Sequence, residues 1–323
     1  MSVLVKNFIG YKVFNKCSDS KLRLLSNFIR YNSNSKQKWL ERQRSDHFTA
    51  EAKLQNLRSR AAFKLMEIDD KFKLFDRNKN QRVLDLGFAP GAWSQVAKSR
   101  TADESMILGI DILPCDPPLG VSSIQANILS KKTHDLIRLF FSKHFQLNKH
   151  DELHKHHGYF QEFMENKLDK IEQEKIDKND KLYREVFTND PTVSSIEKLP
   201  IDVIISDMYE PWQKTTNFWN NFTNLPYNRM ANTSGLAIKD HSQSIDLCDA
   251  ALVSAIDLLR PNGSFVCKLY TGKEDKLLEN RMNKVFKKVQ RFKPNSSRSE
   301  SKEIYFVGLK KRNSIDKLAV FTS

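Results

Sequence analysis

Lys268 stands inside an apolar run, Ser-Phe-Val-Cys-Lys-Leu-Tyr at 264–270, that otherwise reads as strand core. A lysine there must snorkel, pair with an acid or serve chemistry. Burial lowers a lysine pKa, which is what a general base needs. Two aspartates close apolar runs in a comparable way: Asp111 after Met106–Ile110, and Asp207 after Val203-Ile204-Ile205-Ser206. An acid at the end of a second strand can accept hydrogen bonds from ribose hydroxyls. The remaining piece is Val-Leu-Asp-Leu-Gly-Phe-Ala-Pro-Gly-Ala-Trp at 83–93. It is an apolar run holding Asp85 that breaks into a small-residue turn between Gly87 and Gly91. Glycine lets backbone N–H groups come close to a ligand. The spacing is G-x-x-x-G, unlike the G-x-G-x-x-G of dinucleotide folds, and no Lys-Ser/Thr follows as it would in a phosphate loop. An acid ahead of the turn suits a ligand bearing an ammonium or hydroxyl better than a pyrophosphate. S-adenosylmethionine is such a ligand, and an ordinary strand–turn–helix corner is the other reading.

The elements that would position these residues alternate along the chain. Strands are expected at Arg82–Leu86, Met106–Ile110, Ile124–Ile128, Asp202–Ser206, Ser264–Leu269 and Glu303–Leu309. Helices are expected at Ser59–Phe72, with Ser59 as N-cap, and at Ile245–Leu259 and Glu274–Lys288. Pro261-Asn262-Gly263 reads as a turn. Buried β runs alternating with helices predict an α/β domain with a mainly parallel sheet.

Stretch 131–200 breaks the alternation. It holds thirteen Lys/Arg, thirteen Asp/Glu and six of the eight histidines, and its only glycine is Gly158. It reads as a charged helical or disordered insertion. His150, His154, His156 and His157 lack a fixed carboxylate or cysteine partner, so no metal site is expected. The four cysteines (Cys17, Cys115, Cys248, Cys267) are scattered, which argues against structural zinc and for a reducing compartment. No run of 18 apolar residues exists, so no membrane span is expected.

The 323 residues carry 53 Lys/Arg against 39 Asp/Glu, a net charge of +14 that favours polyanionic partners, nucleic acid first. Residues 1–45 hold ten Lys/Arg and only Asp19 and Glu41, which supplies +8 of that total. Rich in Ser and Asn, with leucines spread through it, this segment has the make-up of a mitochondrial presequence. A basic arm that binds RNA is the other reading.

Taken in order, several blocks resemble the FtsJ/RrmJ family of RNA ribose 2′-O-methyltransferases. They are Ser-Arg-Ala-Ala-Phe-Lys-Leu at 59–65, Asp-Leu-Gly-Phe-Ala-Pro-Gly-Ala-Trp-Ser-Gln at 85–95, and Asp-Ile-Leu-Pro at 111–114. Further along come Ser-Asp-Met at 206–208, Pro-Asn-Gly-Ser-Phe-Val-Cys-Lys at 261–268, and Lys-Pro-Asn-Ser-Ser-Arg at 293–298 running to Glu303. The resemblance covers about residues 45–310 apart from the insertion. It implies a Rossmann-like methyltransferase fold with a mostly parallel seven-stranded sheet flanked by helices. The layout is then a presequence or basic arm (1–45), a methyltransferase domain (46–312, with 131–200 inserted) and a tail (313–323).

It also implies roles. The family's Lys-Asp-Lys-Glu tetrad falls on Lys64, Asp207, Lys268 and Glu303. The cofactor is S-adenosylmethionine: Gly87, Gly91 and Trp93 line its methionine end, Pro90 belongs to the same cofactor site, Asp111 meets the ribose, Asn127 the adenine, and Asp207 favours the sulfonium. Ala92 stands where the family has a second glycine, and Asn127 where it usually has aspartate. A ribose 2′-hydroxyl must lose its proton as it attacks the sulfonium methyl. Lys268, in its neutral form, can take that proton, with Lys64 helping to depress its pKa by like-charge repulsion.

RNA would be held through phosphate contacts by Arg58, Arg60 and Arg298, and Tyr209 and Trp212 are candidates for stacking on a base. The run Asp-Met-Tyr-Glu-Pro-Trp at 207–212 and the presequence resemble the mitochondrial large-subunit rRNA branch, whose target is a uridine. The implied protein is a monomer in the mitochondrial matrix acting on large-subunit rRNA or an assembling subunit. A non-catalytic rRNA-binding assembly factor and a cytosolic tRNA ribose methyltransferase are the competing readings.

Overall fold

The computed structural model describes residues 46–142, 157–177, 197–210, 212–213, 230–231 and 233–322. The expected presequence and His150, His154 and His156 lie outside them. The chain divides into two compact units, Met1–Ala50 and Glu51–Ser323. A helix, α1 (His47–Leu54), spans the division, and the second unit carries the sheet.

The main elements in chain order are α2 (Ala61–Phe72), β1 (Arg82–Leu86), α3 (Ala92–Arg100), β2 (Met106–Asp111), β3 (Ser122–Gln125), α4 (Lys131–Phe140) and α5 (His157–Asp177). They continue with β4 (Ile201–Ser206), the short pair β5 (Trp212–Gln213) and β6 (Met230–Ala231), α6 (Ala237–Leu258), β7 (Leu259–Tyr270) and α7 (Asp275–Val285). The last are β8 (Phe286–Phe292), β9 (Glu303–Lys311) and α8 (Lys317–Phe321). Seven strands form one sheet in the order β3-β2-β1-β4-β7-β9-β8. Pairing is parallel from β3 through β7, whereas β9 runs antiparallel to both its neighbours.

Strand alternation explains why these runs are largely apolar. Val83, Ile107, Val203, Ile205, Val266 and Val307 face one way and pack with Leu65 of α2 and Val96 of α3. Leu84, Leu108, Ile204, Phe265 and Phe306 face the other way and pack with Leu136 of α4, Leu252 of α6 and Leu278 of α7. Both faces are covered, so every position must be apolar unless function intervenes. The expected strands and helices recur with shifted ends. The third strand is Ser122–Gln125, and Ser59 lies ahead of α2, its Oγ accepting the Ala61 N–H at 3.2 Å. Asn262, at φ +63°, makes the expected turn a bulge inside β7.

The charged stretch after residue 130 is not all excursion. α4 buries Leu136, Ile137, Leu139 and Phe140 on the sheet. α5 adds Phe160, Met164 and Leu168, one helical face at i, i+4 and i+8. At the other end of the chain α8 sets Val320 into the same core.

Candidate active site

Four elements deliver charged groups to the carboxyl edge of the sheet. Lys268 on β7 is buried, 4% exposed, and its Nζ lies 3.1 Å from Asp207 Oδ1 and 2.6 Å from the Asp207 carbonyl oxygen. Lys64 on α2 pairs with Glu303 at the start of β9, Nζ to Oε1 2.6 Å. Tyr305 joins the two pairs. Its hydroxyl sits 3.0 Å from Asp207 Oδ1 and 2.9 Å from Glu303 Oε1. Sequence reasoning missed this tyrosine. Strand alternation from Glu303 was the available signal, because residues two apart on β9 share a face. Lys268↔Tyr305 and Tyr270↔Glu303 are register partners across β7 and β9, so pairing of two strands brings three of these groups together.

The first residues of α2 supply the rest of the frame. Arg60, Lys64 and Glu67 follow one another at helical spacing. Arg60 donates to the Ser296 carbonyl, and Glu67 accepts the Asn295 and Ser296 N–H groups at 2.5 and 2.8 Å. Ser297 in the same loop donates to Glu303 Oε1 at 3.1 Å. The Lys-Pro-Asn-Ser-Ser-Arg run is therefore a brace that fixes Glu303 against Lys64.

The electrostatics differ from the sequence expectation. Burial alone would lower the Lys268 ammonium, but Asp207, followed by Tyr270 and Glu303, outweighs it, and the pKa sits above its ordinary value. Lys64 pairs with Glu303, itself one of the groups that raise Lys268. Burial alone would raise Glu303, yet Lys64 and then Lys268 hold it down at about 2. Tyr305 is pushed well up by burial and by both carboxylates, which keeps it a neutral donor.

The glycine corner lies on the β1–β2 side of this cluster. Gly87 and Gly91 both take left-handed backbone, at φ +75° and +94°, and Gly91 caps α3. The Ala89-Pro90 peptide bond is cis. Asp111 anchors the loop, accepting the Ala89 N–H at 2.8 Å and the Leu113 N–H at 2.9 Å. Arg58 clamps the loop from outside through the Pro90 carbonyl (2.9 Å) and the Asp116 carbonyl. Trp93 is buried under the corner, its Nε1 donating to the Ala61 carbonyl at 2.9 Å and its ring 5.6 Å from that of Tyr305. It therefore couples the corner to the tetrad. Asn127 is exposed past the end of β3, and its Oδ1 accepts the Leu129 N–H at 3.0 Å.

Asp85 lies beneath the corner, 1% exposed. One carboxyl oxygen receives the Ser94 hydroxyl at 2.6 Å and the other has no partner. Burial, with a counteracting hydrogen bond from Ser94 and repulsion from Asp207 and Asp111, lifts it from 3.8 to about 7. The folded protein therefore holds a proton here that the unfolded chain has released. This contribution to stability is full below about pH 4 and is lost as the pH rises to about 7. Asp85→Asn should remove that part of the slope, a result to be read from urea midpoints between pH 4 and 7.

Among the described residues no group of three His, Cys, Asp or Glu side chains could hold a metal, and no helix is long and apolar enough to cross a membrane.

A mostly parallel seven-stranded sheet with one antiparallel strand inserted near its edge, a glycine corner after β1 and an acid ending β2 define a Rossmann-like methyltransferase. The chain belongs to the FtsJ-like methyltransferase family, whose model matches residues 57–311. It is 65% identical over 305 residues to rRNA methyltransferase 2, mitochondrial, of Saccharomyces cerevisiae, covering 91% of this chain and 93% of that one. It is 33% identical over 274 residues to the protein of the same name from Schizosaccharomyces pombe, covering 85% and 95%. It is 30% identical over 315 residues to ribosomal RNA large subunit methyltransferase E of Rickettsia akari, covering 96% and 100%.

Proposed function

We propose that the protein transfers a methyl group from S-adenosylmethionine to the 2′-hydroxyl of a uridine in large-subunit rRNA, in the mitochondrial matrix. The observation that carries this reading is the pairing of Lys268 with Asp207 and of Lys64 with Glu303 through one tyrosine hydroxyl. That arrangement suits deprotonation of a weakly acidic hydroxyl and has no evident purpose in packing. The names of the relatives, mitochondrial in two cases and ribosomal in all three, support the substrate and compartment, as does the net charge of +14.

The residues of the corner fit this methyl donor. Gly87, left-handed at φ +75°, packs directly on Met208 with no room for a Cβ, which lets the loop backbone turn tightly at the donor's place, and Asp85 lies buried beneath it with one carboxyl oxygen unpartnered. Pro90 and Gly91 shape the loop. Asp111 keeps lone pairs for ribose hydroxyls, and Asn127 lies exposed beyond β3, where the adenine would rest. When bound, S-adenosylmethionine supplies an electrophilic methyl on a cationic sulfonium, and that charge opposes the ammonium on Lys268.

Lys268 starts as an ammonium and first holds the 2′-oxygen as a hydrogen-bond donor. Once it has shed its own proton to solvent it becomes the base. Asp207 grips Nζ through both its carboxylate and its carbonyl, which fixes the direction of the lone pair. Lys64, paired with Glu303, faces the oxygen as negative charge develops. Arg58 is exposed and Arg60 and Arg298 are partly so. A guanidinium has five N–H donors, enough to serve the brace and a phosphate together.

Ribose methylation mapped across mitochondrial and cytosolic RNA, with and without the protein, should lose one site in the mitochondrial large subunit. Loss confined to a cytosolic tRNA would replace the substrate. An unchanged map would leave an RNA-binding assembly factor.

A further inference from the structure

The pairing of β4 with β7 ends at Ser206↔Cys267, whereas β9 stays beside β7 to Tyr270↔Glu303. The Thr271 N–H goes to the Lys302 carbonyl at 2.9 Å. Alternation along an antiparallel pair therefore turns the backbone groups of Lys268 and Tyr270 toward the side that β4 has left. The split that opens the sheet for substrates thus removes ladder bonds from the stretch that carries Lys268.

Helix α6 makes good the loss. Its His241, Ser244 and Cys248 are all buried and lie at i, i+3 and i+7, one stripe of the helix. Cys248 Sγ donates to the Lys268 carbonyl at 2.9 Å. Ser244 Oγ accepts the Tyr270 N–H at 3.1 Å, and His241 Nδ1 lies 2.6 Å from the Tyr270 carbonyl oxygen. Cys267 packs in the same cluster as Cys248 and Leu252, while Val266 and Tyr305 belong to the other face of the sheet. Lys268, one residue past Cys267, projects with Val266 and Tyr305. The stripe therefore supports the strand from behind its reactive side chain.

His241 has the most contacts of the three. A carbonyl oxygen only accepts, so Nδ1 carries a proton and donates to Tyr270. Nε2 faces the turn into α7. When bare it accepts the Glu274 N–H at 3.1 Å, and when protonated it donates to the Glu274 carboxylate, which also lies beside it. The bond to Tyr270 is the same in both states. Gly272 lies so close to the ring that a Cβ there would not fit, and the His241 carbonyl accepts the Ser244 hydroxyl at 2.7 Å.

We infer that His241 is a positioning residue for Lys268. By holding the Tyr270 carbonyl it fixes the backbone of β7 where β4 no longer pairs, and so aims Nζ at Asp207. Nζ has to meet the Asp207 carboxylate and carbonyl together, and small displacements of a reacting group are costly in rate. The inference rests on the ribose methylation proposed above.

Asparagine places its amide nitrogen near Nδ1 of the histidine it replaces, and glutamine near Nε2. The experiment compares His241→Asn with His241→Gln in the whole chain, on mitochondrial large-subunit rRNA that lacks the methyl group, at saturating donor. The Asn variant should keep kcat within about threefold of the wild type, and the Gln variant should lose about tenfold or more, with the Kd of S-adenosylmethionine unchanged in both. Hydrogen exchange over residues 266–272, followed without donor, should quicken in the Gln variant alone. Unfolding midpoints establish that each variant is folded. Equal rates in the two variants, or rates that follow the midpoints, would reduce His241 to packing. A Gln variant that keeps the rate while Asn loses it would give the role to the turn at Glu274. A folded Asn variant that has lost the rate overturns the inference by itself. Each of these leaves ribose methylation standing, whereas a wild-type protein that transfers no methyl group to this RNA overturns both.

Discussion

Lys268→Met is expected to lower the rate of methyl transfer by about a thousandfold or more, with the fold intact and the methyl donor still bound. Loss of a positioned acid–base group typically costs about 10²–10⁴-fold. Methionine suits a fully buried strand position, since its unbranched chain is similar in length and apolar. Asp207 keeps the Tyr305 hydroxyl as a donor and is not left bare. Single-turnover transfer, measured beside the donor Kd, separates chemistry from binding, and normal turnover in the variant would remove Lys268 from the mechanism. The wild type carries a companion signature. Because Asp207, Tyr270 and Glu303 together outweigh burial and raise the Lys268 pKa, the neutral form is a minor species at neutral pH. Its population grows tenfold per pH unit. If Lys268 is the base, the logarithm of the rate should climb with unit slope from about pH 7 to 9 without levelling. A plateau near neutrality would mean that another group takes the proton.

Gly87→Ala should be nearly as damaging, by a different route. At φ +75° an added Cβ would stand 2.7 Å from Met208 Cγ and 2.8 Å from Met208 Cα. The second contact is with backbone and cannot be relieved by a rotamer. Strained left-handed backbone and overpacking each cost about 1–3 kcal/mol, so a clear fall in the unfolding midpoint is expected. Met208 directly follows Asp207, so any accommodation displaces the carboxylate that holds Lys268. Donor affinity should fall more than tenfold, and the residual rate at saturating donor should fall as well. Retained affinity with only a stability loss would mean that the corner does not bind the donor.

Much of this arrangement was legible in the sequence because the strands that bear it are buried on both faces. β2 and β4 are largely apolar runs, and Asp111 at the end of one and Asp207 just past the other stand out against them. Lys268 was conspicuous for the same reason. The parts that were hidden obey rules other than hydrophobic periodicity. β8, Phe-Lys-Lys-Val-Gln-Arg-Phe, reads as the end of a helix because it is rich in Lys and Arg. It is an edge strand, where charged residues are tolerated and guard against pairing with other chains. It follows α7 with no Gly or Pro to mark the change. Tyr305 looked like one more strand residue, and only its hydroxyl, reaching two carboxylates, sets it apart. The protonation of Lys268 could not be foreseen either. Burial and a like charge were visible in the sequence, but the balance depends on which carboxylates lie nearest, and that follows from the pairing of β7 with β9.

β9 follows every other strand of the sheet in the chain, yet it lies in the middle of the β7–β8 half and not at a margin. It must be threaded between partners made earlier, and such long-range pairing is slow. Glu303 and Tyr305 ride on it. Until it docks, Lys268 has an open strand edge beside it and lacks one of its two carboxylates, and Lys64 has no partner. The protein therefore cannot be a partly competent enzyme during its own synthesis. Completion of the fold and onset of catalysis are one event, and a chain interrupted before β9 should be both silent and prone to pair with its neighbours.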